Sequence, residues 1–127
     1  MQRINMNGYG GVEALFTETA HAPRPQAGEI LIQTAYAGVN RPDIMQRQGH
    51  YPMPAGVTPI MGLELSGTIA ALGAGVNGFA VGDKVCALTD GGAYAQYCAV
   101  KAAQALPLPA GYSLQEAAML PETLFTV

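Results

Sequence analysis

The residues of this chain that could do chemistry are few. Asn40 and Asp43 open a short polar segment, and Glu64 stands between apolar neighbours. Asn40 can cap a helix, and Asp43 is better explained as a first-turn charge than as an acid catalyst. Glu64 fits a hydrogen-bonded structural carboxylate, although its environment can also turn such a group into a proton donor. His50 has no predicted partner and fits an exposed loop, so we assign no catalytic residue.

A dinucleotide-binding pattern, G-x-G-x-x-G, is formed by Gly73, Gly75 and Gly78. This pattern holds a pyrophosphate only where it opens a helix, because the helix N-terminus supplies the free amides. Here a second turn at residues 82–83 leads into a strand-like segment, and the acidic residue expected about 20 positions further on is missing. The glycines therefore predict a turn between two strands, and the chain carries no nucleotide-binding unit of its own.

Cys86 and Cys98 are predicted to be structural thiols. They are the two cysteines of the chain, and neither further cysteines nor patterned histidines accompany them. Such a pair indicates neither a disulfide framework nor a metal site.

Composition favours one folded domain. The chain has 127 residues, of which 50% are hydrophobic and 12% are charged, which excludes disorder. The net charge is −3, and no basic stripe exists that could neutralise phosphates, so we expect no nucleic-acid partner. The apolar stretches are too short to span a membrane and the N-terminus lacks the features of a signal peptide, so we expect a cytoplasmic protein.

The elements that must position these residues are mainly short strands. Sixteen glycines and nine prolines interrupt the apolar runs throughout. The strongest strand spans residues 29–39, with Ile30, Ile32, Thr34 and Tyr36 on one face. A short helix is predicted at 40–49 and a helix with a capping box at 113–116 that must break before Pro121. The remaining predictions are a hairpin or a strand with a loop at 4–15, an irregular loop at 50–59, and strands at 63–72, 83–88 and 92–100.

Six short segments in a fixed order carry a family resemblance. They are GVNRPD at 38–43, QRQGHYP at 46–52, GLELSG at 62–67, VGDKV at 81–85, GGAYAQY at 91–97 and AAMLP at 117–121. Each segment is weak alone, but together they resemble the zeta-crystallin-like quinone oxidoreductases of the medium-chain dehydrogenase/reductase superfamily. The resemblance covers nearly the whole chain, from about residue 10 onward.

The resemblance implies a mainly β fold, a GroES-like partly open β-barrel with short helices. It assigns residues 1–127 to the N-terminal catalytic domain, without the Rossmann domain that follows in full-length members. Residues 113–127 would begin the connection to that absent domain. The implied activity of the full-length protein is hydride transfer from NADPH to a small-molecule quinone or enone, and the implied assembly is a homodimer. Because the missing domain binds most of the NADPH, we expect the isolated chain to be inactive.

The comparison with zinc-dependent members of the superfamily implies an enzyme without zinc. Those members carry a Cys where this chain has Asn40, and a Gly-His-Glu where it has residues 62–64. An amide and the side chain of Leu63 do not bind Zn²⁺ as a thiolate and an imidazole do. Without a Lewis acid, the chemistry suits an acceptor that takes a hydride easily.

Five residues are assigned by the resemblance to the substrate and cofactor cleft: Asn40, Asp43, Tyr51, Gly62 and Thr126. The Asn40 amide both donates and accepts, so it could bridge the nicotinamide side of the cofactor and the substrate oxygen; a plain helix cap is the alternative. Tyr51 either lines the cleft or packs as a surface aromatic. Thr126 would approach the nicotinamide from the start of the inter-domain helix.

Two other functions stay open at this point. A non-enzymatic β-barrel interaction module would explain the lack of acid–base groups, but it does not explain a loop that combines Asn40 with Tyr51. An enoyl reductase of the same superfamily, acting on thioester alkenes, would fit the same motifs.

Overall fold

The computed structural model describes residues 1–50 and 58–121. The elements, in chain order, are β1 (Gln2–Met6), β2 (Leu15–Thr19), β3 (Glu29–Ala37), α1 (Arg41–Arg47), β4 (Glu64–Leu72), β5 (Lys84–Leu88), β6 (Tyr97–Lys101), β7 (Ala105–Pro107) and α2 (Leu114–Ala117). Single 3-10 turns at Val12–Ala14 and Ala102–Gln104 precede β2 and β7. The chain is therefore mainly β with short helices, as predicted.

The strands form one large antiparallel sheet and one small one. The large sheet has the order β6-β3-β4-β5-β7, and the small sheet pairs β1 with β2. The small sheet attaches to the segment before β6, where the Ile4 amide donates to the Tyr94 carbonyl at 2.9 Å. In the described part of the chain no pairing joins β6 to β7, so the barrel stays open between these edges. The predicted partly open barrel is confirmed.

The core is formed by side chains of the large sheet. Its largest fully buried aliphatic side chains come from β3, β4, β5 and β6, namely Ile30, Ile32, Leu65, Ile69, Val85 and Val100. Alternation along each strand places these residues on one face, and burying each of them contributes about 1.5–3 kcal/mol. Helix α2 packs against β3, β4 and β5, and the buried Ser66 hydroxyl donates to the Leu114 carbonyl.

The predicted face of β3 is only half right. Ile30 and Ile32 are fully buried, but Tyr36 is 47% exposed. The pairing of β3 with β4 shifts register between Leu31 and Ile32 and again between Thr34 and Tyr36. The first shift leaves an extra residue on β4, whereas the second leaves Ala35 as an extra residue on β3 and changes the side on which the following β3 side chains lie. Simple alternation therefore predicts the wrong side for Tyr36.

The glycine triad lies in the connection between β4 and β5. These strands pair antiparallel, from Glu64 opposite Leu88 to Thr68 opposite Lys84, and the described residues between them contain no helix. Gly75 and Gly78 have φ angles of 80° and 86°, which suit turns rather than a helix start. The prediction that these glycines form a turn between two strands is confirmed.

Several element boundaries differ from the predictions. Strand β6 begins at Tyr97 rather than at residue 92, because residues 92–96 bond instead to β1 and to the segment 60–62. The predicted hairpin exists, but β2 extends to Thr19. The capping box of Ser113 and Glu116 is confirmed, with bonds of 3.0 and 3.1 Å, but α2 ends at Ala117.

The two cysteines are free and buried, as predicted. They lie on β5 and β6, where burial raises the pKa of the Cys98 thiol to about 12 and also raises that of Cys86. Both thiols are therefore protonated at neutral pH and are poor nucleophiles and metal ligands.

Candidate functional site

The first turn of α1 is fixed by a capping box. Asn40 is the N-cap residue, Pro42 lies in the first turn, and Arg47 is the last residue of the helix. The backbone N–H of Asn40 donates to Asp43 Oδ2 at 2.9 Å. A carboxylate at this position satisfies an amide that the helix leaves unpaired and lies at the positive end of the helix dipole. The helix predicted at residues 40–49 is confirmed as Arg41–Arg47 with Asn40 at the N-cap position, where the capping hydrogen bond is made by the Asp43 carboxylate.

The Asn40 side chain forms a hydrogen bond with Glu64. Its Nδ2 donates to Glu64 Oε1 at 3.1 Å, and Glu64 is 3% exposed at the start of β4. A carboxylate only accepts hydrogen bonds at neutral pH, so Glu64 requires the nitrogen end of the Asn40 amide to face it. Glu64 is thus a hydrogen-bonded carboxylate, and it orients the amide of its neighbour.

Gly38 makes room for Glu64. A Cβ atom on Gly38 would overlap with Glu64 Oε1 and would lie 2.7 Å from Glu64 Cδ. The φ angle of Gly38 is not in the left-handed region, so the requirement for glycine comes from this close approach and not from backbone conformation. The Glu64 carboxylate therefore lies directly over the chain that leads from β3 into Asn40.

Tyr94 completes the polar network from the loop before β6. Its hydroxyl donates to Asp43 Oδ2 at 2.8 Å. Asp43 is 3% exposed, and its other oxygen, Oδ1, has no hydrogen-bond partner among the described residues. Burial, and then the hydrogen bond with Asp43, raise the pKa of the Tyr94 phenol, which stays neutral throughout the physiological range. Two donors therefore converge on one oxygen of a buried carboxylate.

Replacing Tyr94 by Phe should destabilise the protein. The variant removes one of the two donors to the buried Asp43 carboxylate and keeps the other, the backbone N–H of Asn40. Loss of the Tyr94 hydrogen bond should lower the free energy of unfolding by about 1–3 kcal/mol, as measured by urea denaturation at pH 7. Because the folded-state pKa of Tyr94 is raised, the wild type loses stability once the unfolded phenol ionises above pH about 10. The difference between Y94F and the wild type should therefore shrink above that pH. A difference that does not change between about pH 8 and 11 would contradict this explanation.

Gly62 brings the start of β4 against the Tyr94 loop. Its φ angle is 109°, and a Cβ atom there would lie 2.7 Å from Ala93 Cβ and 2.8 Å from Tyr94 Cδ1. The Tyr94 amide donates to the Met61 carbonyl at 3.1 Å across the same junction. Only glycine fits this position, and its absent side chain lets Tyr94 reach Asp43.

An apolar cavity of about 430 Å³ lies beside this network. Its walls come from the β1–β2 hairpin, the end of β3 and its loop, helix α1 and the segments around residues 61 and 94. The apolar lining residues are Ile4, Leu15, Ala37, Val39, Ile44 and Met61, and the others are Asp43, Arg47 and Tyr94. The volume lies within the range of roughly 300–1,000 Å³ that is usual for small-molecule sites.

The structure brings three of the five predicted cleft residues together. Asn40 and Asp43 are bonded to each other, and Gly62 packs against their partner Tyr94. Tyr51 and Thr126 lie outside the described residues. His50 is exposed, as predicted. Tyr94 was missed as a site residue, because its partner Asp43 is 51 positions away in the chain and no local pattern signals that contact.

Within residues 1–50 and 58–121, no three His, Cys, Asp or Glu side chains come together in a way that could hold a metal ion.

Across the same two ranges, no helix is long and apolar enough to cross a membrane.

Comparison with known proteins identifies the fold family. Residues 26–110 match the alcohol dehydrogenase GroES-like domain. The chain belongs to this family. It is 32% identical to the mouse synaptic vesicle membrane protein VAT-1 homolog-like over 126 residues, which are 99% of this chain and 30% of that protein. This family match agrees with the resemblance to the N-terminal domain of quinone oxidoreductases.

Two solved structures support the same assignment. The chain superposes on the Escherichia coli quinone oxidoreductase complexed with NADPH with a TM-score of 0.83 and 32% identity, over 93% of this chain and 36% of that one. It superposes on the CurK enoyl reductase with a TM-score of 0.88 and 26% identity, over 98% of this chain and 40% of that one. This GroES-like domain thus spans less than half the length of these relatives, which are oxidoreductases of one superfamily. The predicted family resemblance is confirmed.

Proposed function

We propose that this domain forms the substrate side of an NADPH-dependent oxidoreductase that transfers a hydride to a quinone or another conjugated carbonyl without zinc. The observation that carries the proposal is the polar network of Asn40, Asp43, Glu64 and Tyr94 beside an apolar cavity. A planar, uncharged ring fits an apolar wall, and a few fixed polar groups at one end can orient it.

The chemistry of the donor set supports a reaction without zinc. At the position where zinc-dependent relatives carry a thiolate, Asn40 offers an amide nitrogen that is already bonded to Glu64. Leu63 offers no donor in place of the imidazole. Quinones and enones delocalise the charge that a hydride brings, so they need less help from a Lewis acid than simple ketones do.

The residues at this site fit a nicotinamide cofactor as one wall of a cleft. Bound NADPH would supply the hydride, and the relatives' second domain would hold most of it. Asn40 is partly exposed, while Asp43 and Glu64 are buried beneath it. Its fixed amide can therefore hydrogen-bond a ribose or carboxamide group, and the apolar lining keeps water from the acceptor.

An NADPH-oxidation assay of the complete protein tests this function. We expect turnover with quinones and enones, no turnover with simple ketones or aldehydes, and no loss of activity in the presence of a zinc chelator. Inactivation by the chelator would overturn the zinc-free assignment. Inactivity toward every conjugated acceptor would overturn the proposed function and favour a non-enzymatic interaction module.

An enoyl reductase is the second candidate. The similarity to the CurK enoyl reductase extends over nearly all of this chain, and an apolar cavity also accepts an acyl chain. Comparison of kcat/KM for a quinone and an enoyl thioester with the same complete protein separates the two activities. The homodimer and the cytoplasmic location stay predictions of the sequence.

A further inference from the structure

We propose that the apolar cavity beside α1 binds ligands that carry a carboxylate on an apolar body, and that Arg47 recognises the carboxylate. The inference deepens the proposed function, because it names the class of molecule that the acceptor cavity prefers. It rests on that function only for the assumption that the cavity receives the acceptor; binding itself requires neither NADPH nor turnover.

Arg47 is held in place at the edge of the cavity. Its Nε donates to the Gly10 carbonyl at 3.2 Å, and its own carbonyl accepts from the Gly10 amide at 2.8 Å. These two bonds join the end of α1 to the loop between β1 and β2, and the side chain is half-buried. The guanidinium group therefore has a fixed position among apolar side chains.

The terminal nitrogens of Arg47 are available to a ligand. In the described parts of the chain they make no hydrogen bond or ion pair with the protein, whereas Arg3, on the neighbouring hairpin, is paired with Glu18 at 2.7 Å. A guanidinium group presents its donors in a planar fork that matches the two oxygens of a carboxylate. Because the cavity walls exclude part of the solvent, such a pair is stronger there than on an open surface.

The acidic groups nearby do not fill this role. Asp43 lines the same cavity one helical turn before Arg47; its Oδ2 accepts from the Tyr94 hydroxyl and the Asn40 backbone amide, and its Oδ1 has no hydrogen-bond partner among the described residues, Arg47 included. Glu13, on the loop that carries Gly10, is exposed and lies against Gly11. Neither of these two described carboxylates is within ion-pair distance of Arg47.

The charge of the lining sets the direction in which a ligand would bind. Among the described residues that line the cavity, Asp43 is the one carboxylate and Arg47 is the one cation. An anionic group should therefore bind at its end, with the apolar body toward Ile44 and Met61.

A matched pair of probes tests the inference directly. We expect calorimetry with the protein to show that 2-naphthoate binds at least about 10-fold more tightly than 2-naphthamide, which has the same shape without the charge. The R47Q variant should lose this preference and keep the affinity for 2-naphthamide. R41Q is the control, because Arg41 lies on the same helix, is exposed and does not line the cavity.

Two further measurements guard against a folding defect in R47Q. R47K keeps the charge but loses the planar fork, so it should show a reduced preference for 2-naphthoate. In the wild type, raising the salt concentration should weaken binding of 2-naphthoate and leave that of 2-naphthamide unchanged. Equal affinities for the two probes, no binding of either, or a preference that survives in R47Q or disappears in R41Q would overturn the inference.

The outcomes separate this inference from the proposed function. If the complete protein reduces no conjugated acceptor but still prefers 2-naphthoate through Arg47, the carboxylate site stands and the reductase function fails. If it reduces quinones but shows no such preference, the function stands and the carboxylate site fails.

Discussion

Replacing Gly38 by Ala should destabilise the protein more than an alanine usually does at the end of a strand. The added Cβ would overlap with Glu64 Oε1 and would lie 2.7 Å from both Glu64 Cδ and Cγ, and Glu64 is buried. Relief requires either the carboxylate or the backbone before Asn40 to move. Overpacking of this kind costs about 1–3 kcal/mol, and here it also disturbs the hydrogen bond between Asn40 and Glu64.

Urea denaturation of a double-mutant cycle measures this contact. In the Glu64→Ala background, the added Gly38→Ala change should cost much less than it does in the wild type, because the clashing atoms are gone. Glu64→Gln keeps the shape of the side chain and should give no such relief. In the complete protein, G38A should also lower turnover, since Asn40 follows it by two residues. A G38A cost that is the same in the wild type and in the E64A background would show that the close approach is not the cause.

The Asn40→Asp variant should show a strong and pH-dependent loss of stability. The substitution replaces the donor Nδ2, now 3.1 Å from Glu64 Oε1, with a second carboxylate oxygen. Two carboxylates at this distance, one of them buried, repel each other unless they share a proton. At pH 7 the cost should be on the order of 3 kcal/mol relative to the wild type.

The sign of the pH effect follows from proton linkage. In N40D the folded pair binds a proton more readily than the separated groups of the unfolded chain, whose ordinary pKa values are about 4. The variant therefore regains stability as the pH falls from about 7 toward 4. As the pH rises, its loss of stability reaches its full size once the shared proton has left the folded pair. Asn40→Ala is the control, since it removes the amide without adding a charge and its cost should not vary in this way. Parallel pH profiles of the two variants would refute the assigned contact between Asn40 and Glu64.

The sequence determined the local parts of the fold well. Alternation predicted a strand at 29–39, which the structure forms at Glu29–Ala37, and cap, proline and glycine signals predicted a helix at 40–49, which it forms at Arg41–Arg47. Both signals depend on residues adjacent in the chain. The turn signals around Gly73 also predicted the connection between two antiparallel strands. The ordered motifs indicated the family, since family identity is carried by residues that need not touch each other.

Only the tertiary structure decided what the site residues do. The register shift at Ala35, after which Tyr36 is exposed, arises from pairing with β4, which no pattern within β3 encodes. Asp43 meets Tyr94 across 51 residues, and Asn40 meets Glu64 across 24. The sequence supplied an amide, two carboxylates and a phenol, but hydrogen bonds act over about 3 Å and depend on where the folded chain brings these groups together. The contact with Glu64, which fixes the Asn40 amide, is therefore a property of the folded chain that the sequence around Asn40 does not predict.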